Sequence, residues 1–170
     1  MFQTKQAFQK ENVTKAYDKY ATMLYQLALS HLQKREDAED VVQEVFIKFV
    51  TKAPAFADEA HKKAWFIRVT INQCKDHLRY RRLRTHIPLH EIGELSDSTG
   101  ITDEAAISVM QLLSTLPDKY KTIIVLHYLE NLSVEEIAST LTLGKSAVKM
   151  RLARGREILK KELEKEDGYV

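Results

Sequence analysis

Hydrophobic residues recur every three or four positions through the first half of the chain, which is the spacing of one face of an α-helix. Residues 13–32 carry such a stripe, residues 37–50 repeat it, and residues 62–84 continue it. The first stripe consists of Val13, Ala16, Tyr17, Tyr20, Met23, Leu24, Leu27 and Ala28. The pattern predicts three helices that bury their apolar faces in a shared core.

Short interruptions separate these three helices. Residues 33–35 break the first stripe, and Glu36 and Asp37 favour a new helix because acidic side chains stabilise the positive end of its dipole. Pro54 disfavours helical geometry in the residue before it and ends this helix, and residues 56–61 predict a loop. The inward stripe of the second helix is Ala38, Val41, Val42, Val45, Phe46, Phe49 and Val50.

The third predicted helix has a broader apolar surface. Its apolar positions are Ala64, Trp65, Val69, Cys74 and Leu78, with Ile67 and Ile71 on an adjoining face. Trp65 and the neighbouring Phe66 could stack on a ligand, but an aromatic residue at helical spacing is more often a core residue. A core position is therefore the preferred interpretation of Trp65.

The second half of the chain begins with a segment that has no periodic stripe. Residues 86–102 contain Pro88, Gly93 and Gly100, which predict a linker. An amphipathic helix over residues 103–116 stops at Pro117, and another follows over residues 118–128. The prediction is an all-α protein with two small helical domains, residues 1–85 and 105–170, joined by a flexible acidic linker over residues 86–104.

A helix-turn-helix pattern occupies residues 133–161. Ser133 and Glu136 have the spacing of a capping box, which starts a short helix. Gly144 is expected to take a positive φ in the turn, and a longer helix follows over residues 145–163. A short helix, a glycine turn and a basic second helix are typical of a DNA-reading motif. The alternative is an αα-hairpin with a solvated basic face.

The distribution of charge supports nucleic-acid binding. Residues 1–85 hold 16 Lys/Arg against 10 Asp/Glu, whereas residues 86–104 hold five acids and no base. Residues 145–161 hold seven bases and one acid. Two basic regions flanking an acidic connector are the electrostatic pattern of a protein that binds nucleic acid.

The first turns of a recognition helix reach base edges, and later basic residues reach phosphates. Lysine suits guanine acceptors, a serine hydroxyl suits several base atoms, and a methionine can contact a thymine methyl group. The predicted base-reading residues are Lys145, Ser146, Lys149 and Met150. The predicted phosphate-binding residues are Arg151, Arg154 and Arg156.

Other functional classes find little support. Cys74 is the only cysteine, so no disulfide framework is possible within one chain, and a reducing compartment is expected. No signal-peptide core or membrane-length apolar run is evident, so the protein is expected to be cytoplasmic and not membrane-inserted. No catalytic, nucleotide-binding or metal-ligand motif occurs, so no catalytic residue, cofactor or metal is expected.

Two parts of the chain resemble known modules. The segment LPDKYKTIIVLHYLENLSVEEIASTLTLGKSAVKMRLARGREILKKEL resembles domain four of the sigma-70 family, in its extracytoplasmic-function (ECF) branch. REDAEDVVQEVFIKFV and AWFIRVTINQCKDHLRYRR resemble domain two of that branch. The resemblance implies a non-catalytic initiation subunit that binds core RNA polymerase and promoter DNA and is held inactive by an anti-sigma factor.

The resemblance also implies roles for particular side chains. The outward residues of the second helix would dock on core polymerase, although a solvated acidic face explains them equally well. These residues are Asp40, Gln43, Glu44 and Ile47. On the third helix, Arg68, Asn72 and Asp76 share one face and would meet the opened −10 strand, with residues 56–63 forming one wall. The residues implied to grip phosphates there are Arg79, Arg81, Arg82 and Arg84.

Two alternative functions would not need both of these faces. A dimeric helix-turn-helix regulator would need no strand-opening face, and a protein-binding helical adaptor would need no basic recognition helix.

Many ECF factors place Gly-Thr before the Val-Lys of the recognition helix, whereas Ser146 and Ala147 stand here. His77 beside Asp76 has no predicted nucleophile or metal partner and is expected to be a surface histidine. The acidic connector either mimics nucleic acid inside polymerase or serves as a soluble tether.

Overall fold

The structure is a computed structural model that describes residues 2–85 and 104–168. Within these ranges it has seven α-helices, one π-helical turn and no strand, so the predicted all-α fold is confirmed. The predicted linker lies outside the described residues except for Glu104, which is the first residue of α4. The helices are α1 (Phe2–Leu32), α2 (Arg35–Lys52), α3 (Glu59–Thr85), α4 (Glu104–Ser114), α5 (Asp118–Ile124), α6 (Val134–Leu141) and α7 (Lys145–Asp167).

Helices α1, α2 and α3 pack around one apolar core, as their stripes predict. Leu24, Leu27, Val45 and Phe66 are fully buried at its centre. Two residues counted in the inward stripes are exposed instead, Tyr17 at 54 % and Val50 at 42 %. Tyr17 lies at the rim, where its ring contacts Phe46, and in the last turns of α2 Phe49 occupies the inward position.

Helix α3 begins earlier than the sequence pattern suggests. Residues 59–61, expected in a loop, belong to its first turn because Asp58 caps the helix. The backbone N–H of His61 donates to Asp58 Oδ1 at 2.9 Å, and the His61 ring Nδ1 lies 2.8 Å from the same atom. This cap satisfies one of the free N–H groups that every helix start exposes.

The helix predicted over residues 118–128 is α-helical only as far as Ile124. A π-helical turn, Val125–Leu129, continues it, and the N–H of Glu130 bonds to the Val125 carbonyl at 3.2 Å. His127 Nδ1 lies 2.8 Å from the Leu132 carbonyl oxygen. These bonds satisfy backbone groups between the end of α5 and the start of α6.

The capping box predicted at the start of α6 is confirmed. Ser133 Oγ accepts from the N–H of Glu136 at 3.1 Å, and the N–H of Ser133 donates to the Glu136 carboxylate at 2.7 Å. The prediction for the following turn is wrong, because Thr142, not Gly144, adopts the left-handed conformation, with φ 55°. Gly144 instead precedes α7, and its carbonyl accepts from the N–H of Val148 at 3.1 Å.

Helices α4–α7 form a second group, called here the second helical unit, which contacts the first unit of α1–α3, and the buried apolar residues of both units belong to one cluster. Ile123, Val125, Ile137 and Val148 are fully buried in this second unit. Helix α6 lies against α3, and α1 contacts both α4 and α5. The contact between the units therefore brings the helix-turn-helix next to the third helix of the first unit.

Candidate nucleic-acid interface

The N-terminal turns of α7 present a continuous polar face. Lys145, Ser146, Lys149 and Met150 are all exposed, and Met150 is exposed at 67 %. Val148 lies on the opposite side of the helix and is fully buried. The structure therefore brings the four predicted base-reading residues together, because burial of the Val148 side of α7 turns the opposite side of the helix outward.

The three arginines further along α7 have different surroundings. Arg154 is paired with Glu157 at 2.7 Å, and Arg156 donates to the hydroxyl of Tyr128 at 3.1 Å. Arg151 is half-buried and borders a groove of about 350 Å³ at the contact between the units. The structure does not gather these three guanidinium groups into a single patch.

Along α3, the predicted strand-binding residues lie on one exposed face, as their spacing requires. Asp76 is paired with Arg79 at 2.9 Å, and Asn72 is exposed. Arg68 reaches across to the second unit, where its Nη1 donates to the Thr140 carbonyl oxygen at 3.2 Å. This contact could not be read from the sequence, because 72 positions separate the two residues.

The basic C-terminal part of α3 is partly engaged with α2. Arg81 Nη1 lies 3.2 Å from Asp37 Oδ2, and His77 Nε2 lies 3.4 Å from Asp37 Oδ1. His77 is thus half-buried beside a carboxylate, which corrects its prediction as a surface histidine. Arg82 and Arg84 are exposed, and the Arg84 guanidinium lies 5.4 Å from the ring centre of Tyr80.

The outward face of α2 carries the four residues predicted to dock on polymerase. Asp40, Gln43, Glu44 and Ile47 are all exposed, and Ile47 is exposed at 61 %. Val50 lies three residues after Ile47, so these two side chains form an exposed apolar patch on one helix face. Sequence reasoning missed Val50, since its position also fits the inward stripe.

An aromatic cluster supports the start of α3. The ring centroid of Trp65 lies 5.2 Å from that of Phe66, 5.8 Å from that of Phe56 and 6.1 Å from that of Phe49. Trp65 is partly buried against the core, while Phe66 is fully buried. The core interpretation of Trp65 agrees with this packing.

Comparison with known proteins follows the same division of the chain. The model of Sigma-70 region 2 matches residues 16–84, and that of Sigma-70, region 4 matches residues 106–159. The ECF RNA polymerase sigma factor SigW of Bacillus subtilis is 31 % identical over 160 residues, covering 86 % of this chain and 86 % of SigW. The chain is an ECF sigma factor of the sigma-70 family.

Further relatives of this sigma factor have similar coverage. SigM of Mycobacterium tuberculosis (strain H37Rv) is 28 % identical and covers 91 % of this chain and 76 % of its own length. Two solved structures share the fold, each covering 91 % of this chain. CnrH in complex with the cytosolic domain of CnrY has a TM-score of 0.67, with 22 % identity and 89 % of CnrH covered. RpoE with the anti-sigma factor NepR from Bartonella quintana has a TM-score of 0.72, with 21 % identity and 98 % of RpoE covered.

Membership in this family gives the sigma factor its function, which is to direct RNA polymerase to promoters as an initiation subunit. In residues 2–85 and 104–168 no group of three or more His, Cys, Asp or Glu side chains could hold a metal ion. No helix in the same ranges is long and apolar enough to cross a membrane.

Proposed function

We propose that the two helical units of this sigma factor divide promoter recognition between them. The first turns of α7 read the −35 duplex, and the polar face of α3 binds the opened −10 strand. The observation that carries this division is the presence of two separate polar faces, each on the far side of a buried stripe. The chain contributes no catalytic residue, and polymerase performs the chemistry.

For the −35 element, the argument rests on the chemistry of the exposed face of α7. Lys145 and Lys149 suit guanine acceptors and phosphates, and the Met150 side chain suits a thymine methyl group. Lys145 lies 3.5 Å from Glu135, and this ion pair is exposed enough for DNA to replace it. We assign phosphate contacts to Arg151, Arg154 and Arg156, the last two of which would exchange their present partners for phosphate oxygens.

For the −10 element, the argument rests on a row of polar side chains beside arginines. The Arg68, Asn72 and Asp76 side chains offer donors and acceptors to the edges of unstacked bases. Arg79, Arg82 and Arg84 are exposed and suit the phosphate backbone. The bond of Arg81 to Asp37 offsets its charge, so it also positions the end of α3 against α2.

For polymerase docking, the argument rests on the outward face of α2. Asp40, Gln43 and Glu44 lie in the turns of α2 just before the exposed apolar patch formed by Ile47 and Val50, and polar residues beside an apolar centre are the usual composition of a protein interface. The RpoE neighbour was solved with an anti-sigma factor. By that likeness, we propose that an anti-sigma factor binds this chain and covers the same faces.

Reconstitution with core RNA polymerase tests the proposal. The complete sigma factor should support run-off transcription from its promoter, and Lys149→Ala should weaken −35 binding. Lys160→Ala is a matched control, since Lys160 is an exposed lysine of α7 that faces Glu164. Tight operator binding by the free protein without any transcript would favour a dimeric helix-turn-helix regulator instead.

A further inference from the structure

A buried glutamine of α3 lies between two charged side chains of α2. Gln73 is only 8 % exposed, and its amide points toward the neighbouring helix. Its Nε2 donates to Glu44 Oε2, and its Oε1 accepts from the ammonium group of Lys48. Both ends of the amide therefore have a partner on α2, as a buried polar group requires.

This arrangement replaces an ion pair that the sequence of α2 favours. Glu44 and Lys48 stand four positions apart, and a glutamate four residues before a lysine is the favourable order for a pair on one helix face. In the structure each of them binds the Gln73 amide instead. Because the amide is neutral and keeps the two charges apart, the Glu44 carboxylate is less neutralised than a direct ion pair would leave it.

The same contact orients Glu44 on the outward face of α2. One carboxylate oxygen, Oε2, is held by Gln73, while Oε1 has no hydrogen-bond or ion-pair partner among the described residues. Glu44 is exposed, and the exposed Ile47 lies on the same face of α2. An oxygen that is free and already oriented can accept a hydrogen bond from a partner without the cost of first ordering a flexible side chain.

We propose that Gln73 is a positioning residue for polymerase docking, because its buried amide presents a charged and oriented Glu44 carboxylate to a basic group on core polymerase. This inference rests on the proposed docking role of Glu44. Gln73 is buried and would not touch polymerase, so it acts through Glu44. The attraction between this carboxylate and a basic group across an interface weakens as salt rises.

Binding to core RNA polymerase tests the proposal. Full-length variants compete with unchanged sigma factor that carries a fluorophore at its N-terminus, and fluorescence anisotropy gives each affinity. Gln73→Leu removes the amide and leaves Glu44 free to pair with Lys48, so the affinity should fall about fivefold. The dependence of the affinity on salt should also fall, because Lys48 then neutralises the carboxylate. Circular dichroism checks that the variant folds.

Two further variants separate positioning from a general loss of packing. Gln73→Glu keeps the shape of the side chain and its bond to Lys48, but a carboxylate cannot donate to Glu44, so the affinity should fall again. Thr70→Val is the matched control on α3, because the buried Thr70 hydroxyl has no hydrogen-bond partner among the described residues. Its removal should leave the affinity unchanged, and a loss equal to that of Gln73→Leu overturns the proposal.

A double-mutant cycle distinguishes this inference from the proposed function. Glu44→Ala removes the group that Gln73 positions, so adding Gln73→Leu to it should have no further effect on the affinity. If Glu44→Ala weakens binding but Gln73→Leu does not, or if the two losses simply add, the positioning role is overturned and docking by Glu44 stands. Unchanged affinity in Glu44→Ala would remove the docking role and, with it, the inference.

Discussion

Gly155 in α7 and Ile124 in α5 approach each other so closely that no side chain fits between them. A Cβ atom added to Gly155 would lie 2.8 Å from Ile124 Cγ1 and 3.0 Å from its Cδ1. Ile124 is itself buried, and its branched side chain has few alternative rotamers. The glycine therefore sets the spacing between the recognition helix and the helix that supports it.

Gly155→Ala should lower the free energy of unfolding by about 1–2 kcal/mol. Overpacking costs about 1–3 kcal/mol, and the better helix propensity of alanine returns up to about 1 kcal/mol. Urea unfolding followed by circular dichroism measures the change. Gly144→Ala is the control for packing, since a Cβ atom there meets nothing within 4 Å, and its cost of at most about 1 kcal/mol comes only from the poorer capping by alanine at the start of α7. Equal stability of the two variants would contradict this packing.

Thr142→Gly should stabilise the protein by about 1 kcal/mol. Thr142 ends α6 with φ 55°, a left-handed conformation that is unfavourable for a β-branched residue and free of strain for glycine. The stability of Thr142→Asn should lie between those of the unchanged protein and Thr142→Gly, because asparagine tolerates the left-handed conformation better than threonine does. Thermal unfolding of the three proteins would give their order of stability. A glycine variant less stable than the unchanged protein would refute the strain assigned to Thr142.

Glu130→Gln should raise stability at pH 7. Glu130 is half-buried, and its Oε1 has no hydrogen-bond partner among the described residues. Burial raises the pKa of this carboxyl, while Lys63 opposes the rise. A raised carboxyl pKa favours folding below about pH 4, and this contribution is lost as pH rises through the folded-state value. The advantage of the glutamine variant should therefore be small near pH 4 and grow toward pH 7.

Glu136→Gln provides a control of opposite sign for the same titration. The N–H of Ser133 donates to the Glu136 carboxylate and lowers its pKa. The stability from this bond is present above about pH 4 and is lost as pH falls through the folded-state value. The glutamine variant should lose stability at neutral pH, and the difference should shrink on acidification. Parallel profiles for Glu130→Gln and Glu136→Gln would show that at least one of the two environments is not as described.

Lys149→Ala should reduce the salt dependence of duplex binding. Each phosphate contact that is lost lowers the slope of log affinity against log salt by about one. Fluorescence anisotropy with a mixed-sequence duplex, between about 50 and 200 mM salt, measures the slope. Lys160→Ala should leave it unchanged, and equal effects of the two substitutions would argue that the first turns of α7 are not its preferred DNA-binding part.

Periodicity predicted the helices well, because burial of an apolar stripe depends on residues close in sequence. It could not predict Arg81 against Asp37 or Arg68 against Thr140, since such pairs depend on how distant helices pack. Conformational freedom favours Gly144 as the left-handed residue of the turn, whereas the hydrogen bonds that end α6 place that conformation at Thr142. Val50 fits the apolar stripe of α2 and yet is exposed, because a stripe in the sequence does not show where the opposing helix ends.

The division of labour between α7 and α3 is the central claim, and Asn72→Ala tests it most directly. Polymerase reconstituted with this variant should bind promoter duplex as tightly as the unchanged protein does. Permanganate reactivity of the −10 thymines should fall at least about tenfold, because the opened strand loses a base contact. Polymerase reconstituted with Lys149→Ala should bind promoter duplex more weakly, but it should open the −10 element normally once it is bound. If both substitutions reduced binding and opening together, the two faces would not have separate roles.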